Sequence, residues 1–251
     1  MIAGAELNAL LNARNIEELW SLHTHQMAAY GFDRILYGYT RYRTENSLGD
    51  PEDFVVLSNH DEAYTESFIG RRLYLRAPML RWALKNEGAG SWSLIRDMQA
   101  RRELGPEEEK VLQFNHEHDV TAGYTISFKS LSARAKGAIA LTARAGIPQD
   151  EVDALWQAHG EDILALNNAV HLKVITLPYS TPNRTLTERQ REVLGWIGDG
   201  KTIQDTATIM GLTPATVEKH LRLARNALGV ETTAQAVLKA AFQNQMFVLD
   251  R

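Results

Sequence analysis

The sequence predicts a chain of mixed α+β class in two parts: an N-terminal α/β/α sandwich on a mostly antiparallel five-stranded sheet, and a C-terminal unit of four short helices. Three observations carry this expectation. Five runs with strand character fall within the first 143 residues, separated by helical patterns. Four helix starts of one chemistry crowd residues 186–243. Between these regions, Leu177-Pro178-Tyr179-Ser180-Thr181-Pro182-Asn183-Arg184-Thr185 sets two prolines among turn residues and reads as a linker. The expected boundaries are therefore 1–176, 177–185 and 186–251.

The N-terminal elements follow from periodicity. Helical patterns cover Glu6–Leu11, Asn15–Tyr30, Glu62–Leu75, Met79–Asn86 and Pro106–Asp119. Strand patterns cover Arg34–Tyr42, Phe54–Asn59, Gly90–Ile95, Tyr124–Lys129 and Ala138–Ala143, with Ser130–Lys136 as a hairpin loop. Strands in two groups with helices on either side suggest a layered domain. Gln149–Thr176 reads as one long helix whose apolar stripe is Val152, Leu155, Trp156, His159, Ile163, Leu166, Val170 and Val174. Such a helix braces the domain and can also pair with its copy in a dimer.

Composition narrows the function. The 251 residues suffice for one large domain or two smaller ones, and 44% hydrophobic content fits a packed core. Zero cysteines exclude disulfides, thiolate metal sites and cysteine nucleophiles. Residues 186–251 hold eight Lys/Arg against seven Asp/Glu, so residues 1–185 carry −5 and account for the overall net charge of −4. No basic-then-apolar signal pattern and no apolar run of membrane-span length is seen, so a soluble cytoplasmic protein with no membrane partner is expected.

The C-terminal unit is punctuated by caps. Thr187, Thr202, Thr213 and Thr232 each precede a helical pattern, with Gln190 and Gln235 at capping-box positions. Pro214 falls at a first helical position, and Gly200, Gly211 and Gly229 mark ends. The middle pair of helices, joined through Met210-Gly211-Leu212-Thr213, reads as a helix-turn-helix. In the helix Thr213–Leu228, Val217, Leu221, Ala224 and Leu228 form one apolar stripe. Ala215, Glu218, Lys219, Arg222 and Asn226 lie opposite, flanked by Arg225. That polar side suits a DNA major groove. Arg222 can pair bidentately with guanine, Glu218 can accept from a cytosine amino group, and Lys219 can read a base or hold a phosphate. Lys201, Thr213 and Thr216 lie near helix N-termini, where phosphates bind. A plain solvated face is the ordinary alternative for such residues; the cap and turn pattern favours DNA.

Leu186-Thr187-x-Arg189-x-x-Glu192-Val193-Leu194, Gly200-Lys201-Thr202, Thr216-Val217-Glu218-Lys219-His220-Leu221 and Leu228-Gly229-Val230 together resemble the LuxR-type DNA-binding domain over about 60 residues. The family often has Glu where this chain has Gln190. The resemblance implies a dimer on a near-palindromic double-stranded operator, with contacts from the helix after Thr232. Val237, Ala240 and Ala241 are the candidates, and plain core is the alternative for them.

A weaker resemblance extends to the N-terminal part, through Pro78, Trp92 and Gly123, and is to the acyl-homoserine-lactone-binding domain of quorum-sensing receptors. It implies a ligand site at Tyr64, Phe68, Ala77, Trp92 and Thr142. In the family the first two are usually Trp and Tyr, donors to the lactone and acyl carbonyls. The residue before the proline is usually an Asp that accepts the amide N–H. Phe68 lacks the hydroxyl and Ala77 lacks any acceptor. An unpaired buried amide costs roughly 1–3 kcal/mol, about ten- to a hundredfold in affinity. Either the signal is not a standard lactone, or Ser93, Ser127 or Thr142 accepts the proton, or the sensor works without ligand. Tyr64, Phe68 and Trp92 as simple core aromatics is the bland alternative.

Other chemistry is poorly supported. His116 and His118, like His23 and His25, sit two apart and diverge on a helix, so no metal is expected; His60 aligns near the expected pocket wall but alone reads as a turn residue. No nucleotide loop or nucleophile elbow is present. A phospho-switched response regulator needs paired carboxylates after its first strand, where Arg43 and Thr44 stand. An enzyme or carrier with a helical tail lacks a catalytic constellation. The expectation is a ligand-responsive DNA-binding regulator, not an enzyme, with no cofactor besides an acyl-homoserine lactone or another small-molecule signal. The alternative is a solo regulator of this family that binds a non-lactone signal or acts without ligand.

Overall fold

The computed structural model describes residues 4–130, 132–179 and 184–246. Two compact units divide the chain, Met1–Ile175 and Thr176–Arg251.

The first unit opens with α1 (Gly4–Asn12) and α2 (Ile16–Ala29), the latter capped by Asn15, whose side chain accepts from the Glu18 N–H. The sheet comprises β1 (Phe32–Thr40), β2 (Val55–Ser58), β3 (Gly88–Ser91), β4 (Gly123–Ser127) and β5 (Lys136–Ala143). Its order is β2-β1-β5-β4-β3, and every pairing is antiparallel. Alternation along β1, β4 and β5 sorts the side chains. Ile35, Tyr37, Ile126, Ile139 and Leu141 are fully buried on the face toward α2 and the long helix α7 (Gln149–Val174). Leu36, Gly38, Thr125, Ala138, Ala140 and Thr142 share the other face. Helices α3 (Glu62–Thr65), α4 (Pro78–Ala83), α5 (Ser93–Ala100) and α6 (Pro106–Glu117) complete this unit.

Three expectations are corrected. The run expected as a strand over 90–95 ends at Ser91, and α5 begins at Ser93. The Ser91 hydroxyl accepts from the Ser93 N–H and turns the chain there. The single helix expected over 62–75 is broken: after α3 comes a π-turn over Glu66–Gly70, then Arg72 in the left-handed region and a 3₁₀ turn over Leu73–Arg76. Such π-turns concentrate at functional sites. Finally, His159 is exposed rather than part of the stripe of α7. Gly160 is buried in its stead, and a Cβ there would meet the Trp156 ring at 2.5 Å.

Polar clamps fix the layers. Arg34 donates to the carbonyls of His118, Asp119 and Ala143, tying the end of α6 to the sheet. Ser127 Oγ reaches the carbonyls of Ala83 and Asn86, tying the end of α4 to β4. At Gly123 a Cβ would overlap the Leu141 carbonyl oxygen, so only glycine lets β4 approach β5 so closely.

The second unit holds α8 (Glu188–Gly198), α9 (Ile203–Met210), α10 (Pro214–Leu228) and α11 (Thr233–Phe242). Thr187 with Gln190, Thr202 with Asp205 and Thr232 with Gln235 form reciprocal capping boxes. Thr213 caps α10, with Pro214 at its first position. Gly211 and Gly229 end α9 and α10 at positive φ. The core joins Leu186, Val193, Leu194, Ala207, Val217, Leu221, Ala224 and Leu228 to Ala236 and Ala240.

Candidate ligand cavity and nucleic-acid interface

Between the second face of the sheet and the segments around α3 to α6 lies a cavity of about 900 Å³. Leu36, Gly38, Thr125, Ala138, Ala140 and Thr142 floor it. All five expected ligand residues line it: Tyr64, Phe68, Ala77, Trp92 and Thr142. So does His60, which stacks on Tyr64 with ring centroids 4.4 Å apart.

The aromatic wall is built by short-range geometry. Tyr64 and Phe68 stack at 5.1 Å across the junction of α3 and the π-turn, and Phe114 of α6 stacks on Tyr64 at 5.3 Å. The Tyr64 hydroxyl donates to Asn115 Oδ1 at 3.1 Å, and burial pushes the phenol well above its usual range. Burial likewise lowers His60 to about 4, so the ring is neutral near pH 7. Trp92 donates its indole N–H to Thr125 Oγ1 at 2.9 Å. Ala77 caps α4 through its backbone and presents only a methyl group. Of the charged residues on the lining, Glu52, Arg72, Arg96 and Glu109 are exposed, and Lys136 is half-buried and donates to the Asn86 carbonyl.

The three candidate hydroxyls for the missing acceptor differ in their surroundings. Ser127 is engaged with the end of α4, and Ser93 is not on the lining. Thr142 lines the cavity, is fully buried, and its Oγ1 has no hydrogen-bond partner. A buried hydroxyl without a partner is uncommon and costs about 1–3 kcal/mol unless something fills the need. Thr125 and Asn115 were not singled out from the sequence. The alternation of β4 could have flagged Thr125, but Asn115 is brought in by packing alone.

In the second unit, Ala215, Glu218, Lys219, Arg222 and Asn226 form an exposed side of α10, opposite the buried stripe. Among the described residues, Glu218, Lys219 and Arg222 have no protein partner for their charged ends, so the side is free to meet a ligand. Lys201 is exposed just before the Thr202 cap. The Thr213 and Thr216 hydroxyls lie 2.9 Å apart at the start of α10. Arg225 differs from the others. It is half-buried and donates to Thr233 Oγ1 at 3.0 Å, so it ties α10 to α11. On α11, Ala240 is core rather than surface, and Val237 packs against that core. Ala241 is exposed, next to Leu238 and Phe242, which are 53% and 37% exposed.

Two family models match this chain. The autoinducer binding domain covers residues 15–174, and the luxR family of bacterial regulatory proteins covers residues 184–240. The chain belongs to the LuxR family. It is a ligand-responsive DNA-binding transcriptional regulator of quorum-sensing type. The transcriptional activator AnoR of Acinetobacter nosocomialis is 24% identical over 93% of this chain and 94% of its own length. The transcriptional activator CarR of Pectobacterium carotovorum subsp. carotovorum is 24% identical over 78% of this chain and 81% of its own. Among solved structures, the N-acylhomoserine lactone dependent factor CepR2 of Burkholderia cenocepacia matches 67% of this chain and 91% of its own at a TM-score of 0.53 and 15% identity, a likeness of fold. Among the described residues, no helix is long and apolar enough to cross a membrane, and no group of metal-ligating side chains is found.

Proposed function

We propose that this regulator acts in the cytoplasm and binds an acyl-homoserine lactone or a closely related neutral amphiphile in the sensor cavity. Its polar head meets Thr142, and its apolar part lies against Tyr64, Phe68, Ala77 and Trp92. The observation that supports this most is the fully buried, unpartnered Thr142 Oγ1 on the floor of a cavity of about 900 Å³. A hydroxyl both donates and accepts, so it can take the amide proton that Ala77 cannot. The lining's charges are exposed apart from the half-buried Lys136, which is engaged with the Asn86 carbonyl, so an uncharged head is preferred.

The DNA reading proceeds from α10. Arg222 and Lys219 address base edges, Glu218 discriminates against bases without an amino donor, and Lys201, Thr213 and Thr216 hold phosphates. Arg225, tied to Thr233, acts by fixing α10. Two copies on a near-palindrome place two such helices at half-site spacing, with Ala241, Leu238 and Phe242 supplying an apolar pairing surface.

Titration calorimetry of the full chain with N-acyl-homoserine lactones of graded length tests the ligand. Thr142→Val, which keeps shape and removes the hydroxyl, is expected to weaken binding about tenfold. Ala77→Asp is expected to tighten it by restoring a carboxylate acceptor. No heat and no thermal stabilisation with any lactone, before and after Ala77→Asp, contradicts the lactone assignment.

A further inference from the structure

The C-terminal end of α10 is held by two cations from outside the helix. The Schellman turn at Gly229 satisfies two carbonyls: the Val230 N–H donates to Arg225 O at 3.0 Å and the Gly229 N–H to Asn226 O at 3.1 Å. The Leu228 carbonyl lies beyond the reach of that motif. It accepts instead from Lys239 Nζ of α11 at 2.8 Å and from Arg184 Nη1 at 3.1 Å. Lys239 is only 6% exposed, so a lysine ammonium is buried inside the unit against this helix end. Both charges also oppose the negative end of the helix dipole. The guanidinium lies close against the turn, and a Cβ at Gly229 would sit 3.2 Å from Arg184 Cζ. Glycine there serves both the positive φ and this approach.

Arg184 also sits where the chain from the sensor enters the DNA-binding unit. Its backbone carbonyl accepts from Gln245 Nε2 at 3.5 Å, and the same amide nitrogen reaches Tyr179 O at 3.2 Å. Gln245 Oε1 accepts from the Leu186 N–H, and Asn244 Nδ2 donates to Leu177 O. The segment after α7 is thus laced to the turn that follows α11. From this segment the Arg184 side chain reaches the end of α10.

We infer that Arg184 and Lys239 are positioning residues for sequence-specific DNA binding: together they fix the last turn of α10, and so the direction in which Lys219 and Arg222 project. Neither touches DNA. Because both serve one acceptor, each covers for loss of the other, while loss of both leaves the Leu228 carbonyl without a partner among the described residues.

The test uses the full chain and a duplex that the chain itself selects from a random pool. Arg184→Met and Lys239→Met keep the aliphatic stems and remove the donors. Each is expected to weaken specific binding about threefold, and the pair about thirtyfold or more, beyond the product of the singles. The dependence of log affinity on log salt should keep its slope in every variant, whereas a lost phosphate contact lowers it by about 0.9 per residue. Lys239→Arg should restore binding. Hydrogen exchange should quicken over residues 222–230 in each single variant, with α8 and α9 unchanged. If the paired variant unfolds, the exchange in the singles decides. Unchanged protection of the last turn, multiplicative losses in a folded pair, or a shallower salt slope overturns the inference.

Discussion

The two units differ in where the polar groups of their candidate sites lie. In the DNA-binding unit every helix start has its own side-chain cap, while the charged ends of Glu218, Lys219 and Arg222 are left to solvent. In the sensor unit the polar groups are drawn inward. His23 is wholly buried against Asn167 at 3.1 Å, His171 shares a 2.8 Å hydrogen bond with Tyr37, and Thr142 Oγ1 faces the cavity unpartnered. The first arrangement leaves charged ends exposed along one side of α10. Of the sensor groups, Thr142 lines the cavity, whereas His23 belongs to α2 and Asn167 and His171 to α7, on the other face of the sheet. A ligand that binds only the folded state adds about 2.7 kcal/mol at a hundredfold excess over its dissociation constant.

Acid should separate the two units, and this is the largest effect expected. Burial lowers His23, His60 and His171 to about 4 from an ordinary 6.5. Above pH 6.5 these rings are neutral folded or unfolded, and their contribution is fully present. As pH falls from 6.5 towards 4 the unfolded chain takes up protons that the folded sensor refuses, so stability falls. The loss is roughly 3 kcal/mol per histidine at its limit. In the DNA-binding unit the cap hydrogen bonds from Thr202 hold Asp205 below its ordinary 3.8, so that contribution is lost only in stronger acid. Trp196 reports on one unit, and Trp20, Trp82, Trp92 and Trp156 on the other. Thermal unfolding at pH 7, 5.5 and 4.5, followed through single-tryptophan variants, should show the sensor transition dropping first. Equal shifts of both transitions would erase the contrast.

A smaller effect probes the open face. Arg222→Ala should cost roughly 1–3 kcal/mol in specific DNA binding and relax preference at one base pair, with unfolding unchanged. A mobility-shift titration with selected and scrambled duplexes checks it. The smallest effect probes the caps. Thr232→Ala removes the acceptor for the Gln235 N–H and should cost about 1 kcal/mol of stability in the DNA-binding unit alone. Calorimetry that registers this loss in the sensor transition instead would contradict the independence of the two units.

The same contrast explains what could be read from the chain alone. Caps and turns are local: Thr187 and Gln190, or Gly211 and Thr213, lie within four residues of each other, so their chemistry is visible in the sequence. Asp205, the reciprocal partner of Thr202, lies within the same window. The cavity is assembled from distant strands and helices. Thr125 and Thr142 become neighbours only through the pairing of β4 with β5, and Asn115 meets Tyr64 only when α6 packs. The π-turn under Phe68 has no periodicity of its own to reveal it. Arg225 and Ala240 lie on the helical faces that sequence spacing assigns, yet contacts with neighbouring helices decide their roles.

Methylation interference on a duplex selected by the full chain tests most directly whether the open side of α10 reads the major groove. Methylating guanine N7 should block binding at guanines in two half-sites about one helical turn apart. Arg222→Ala should abolish the block at one guanine in each half-site. Interference that is absent, or that is untouched by Arg222→Ala, would mean that this side of α10 does not face the bases.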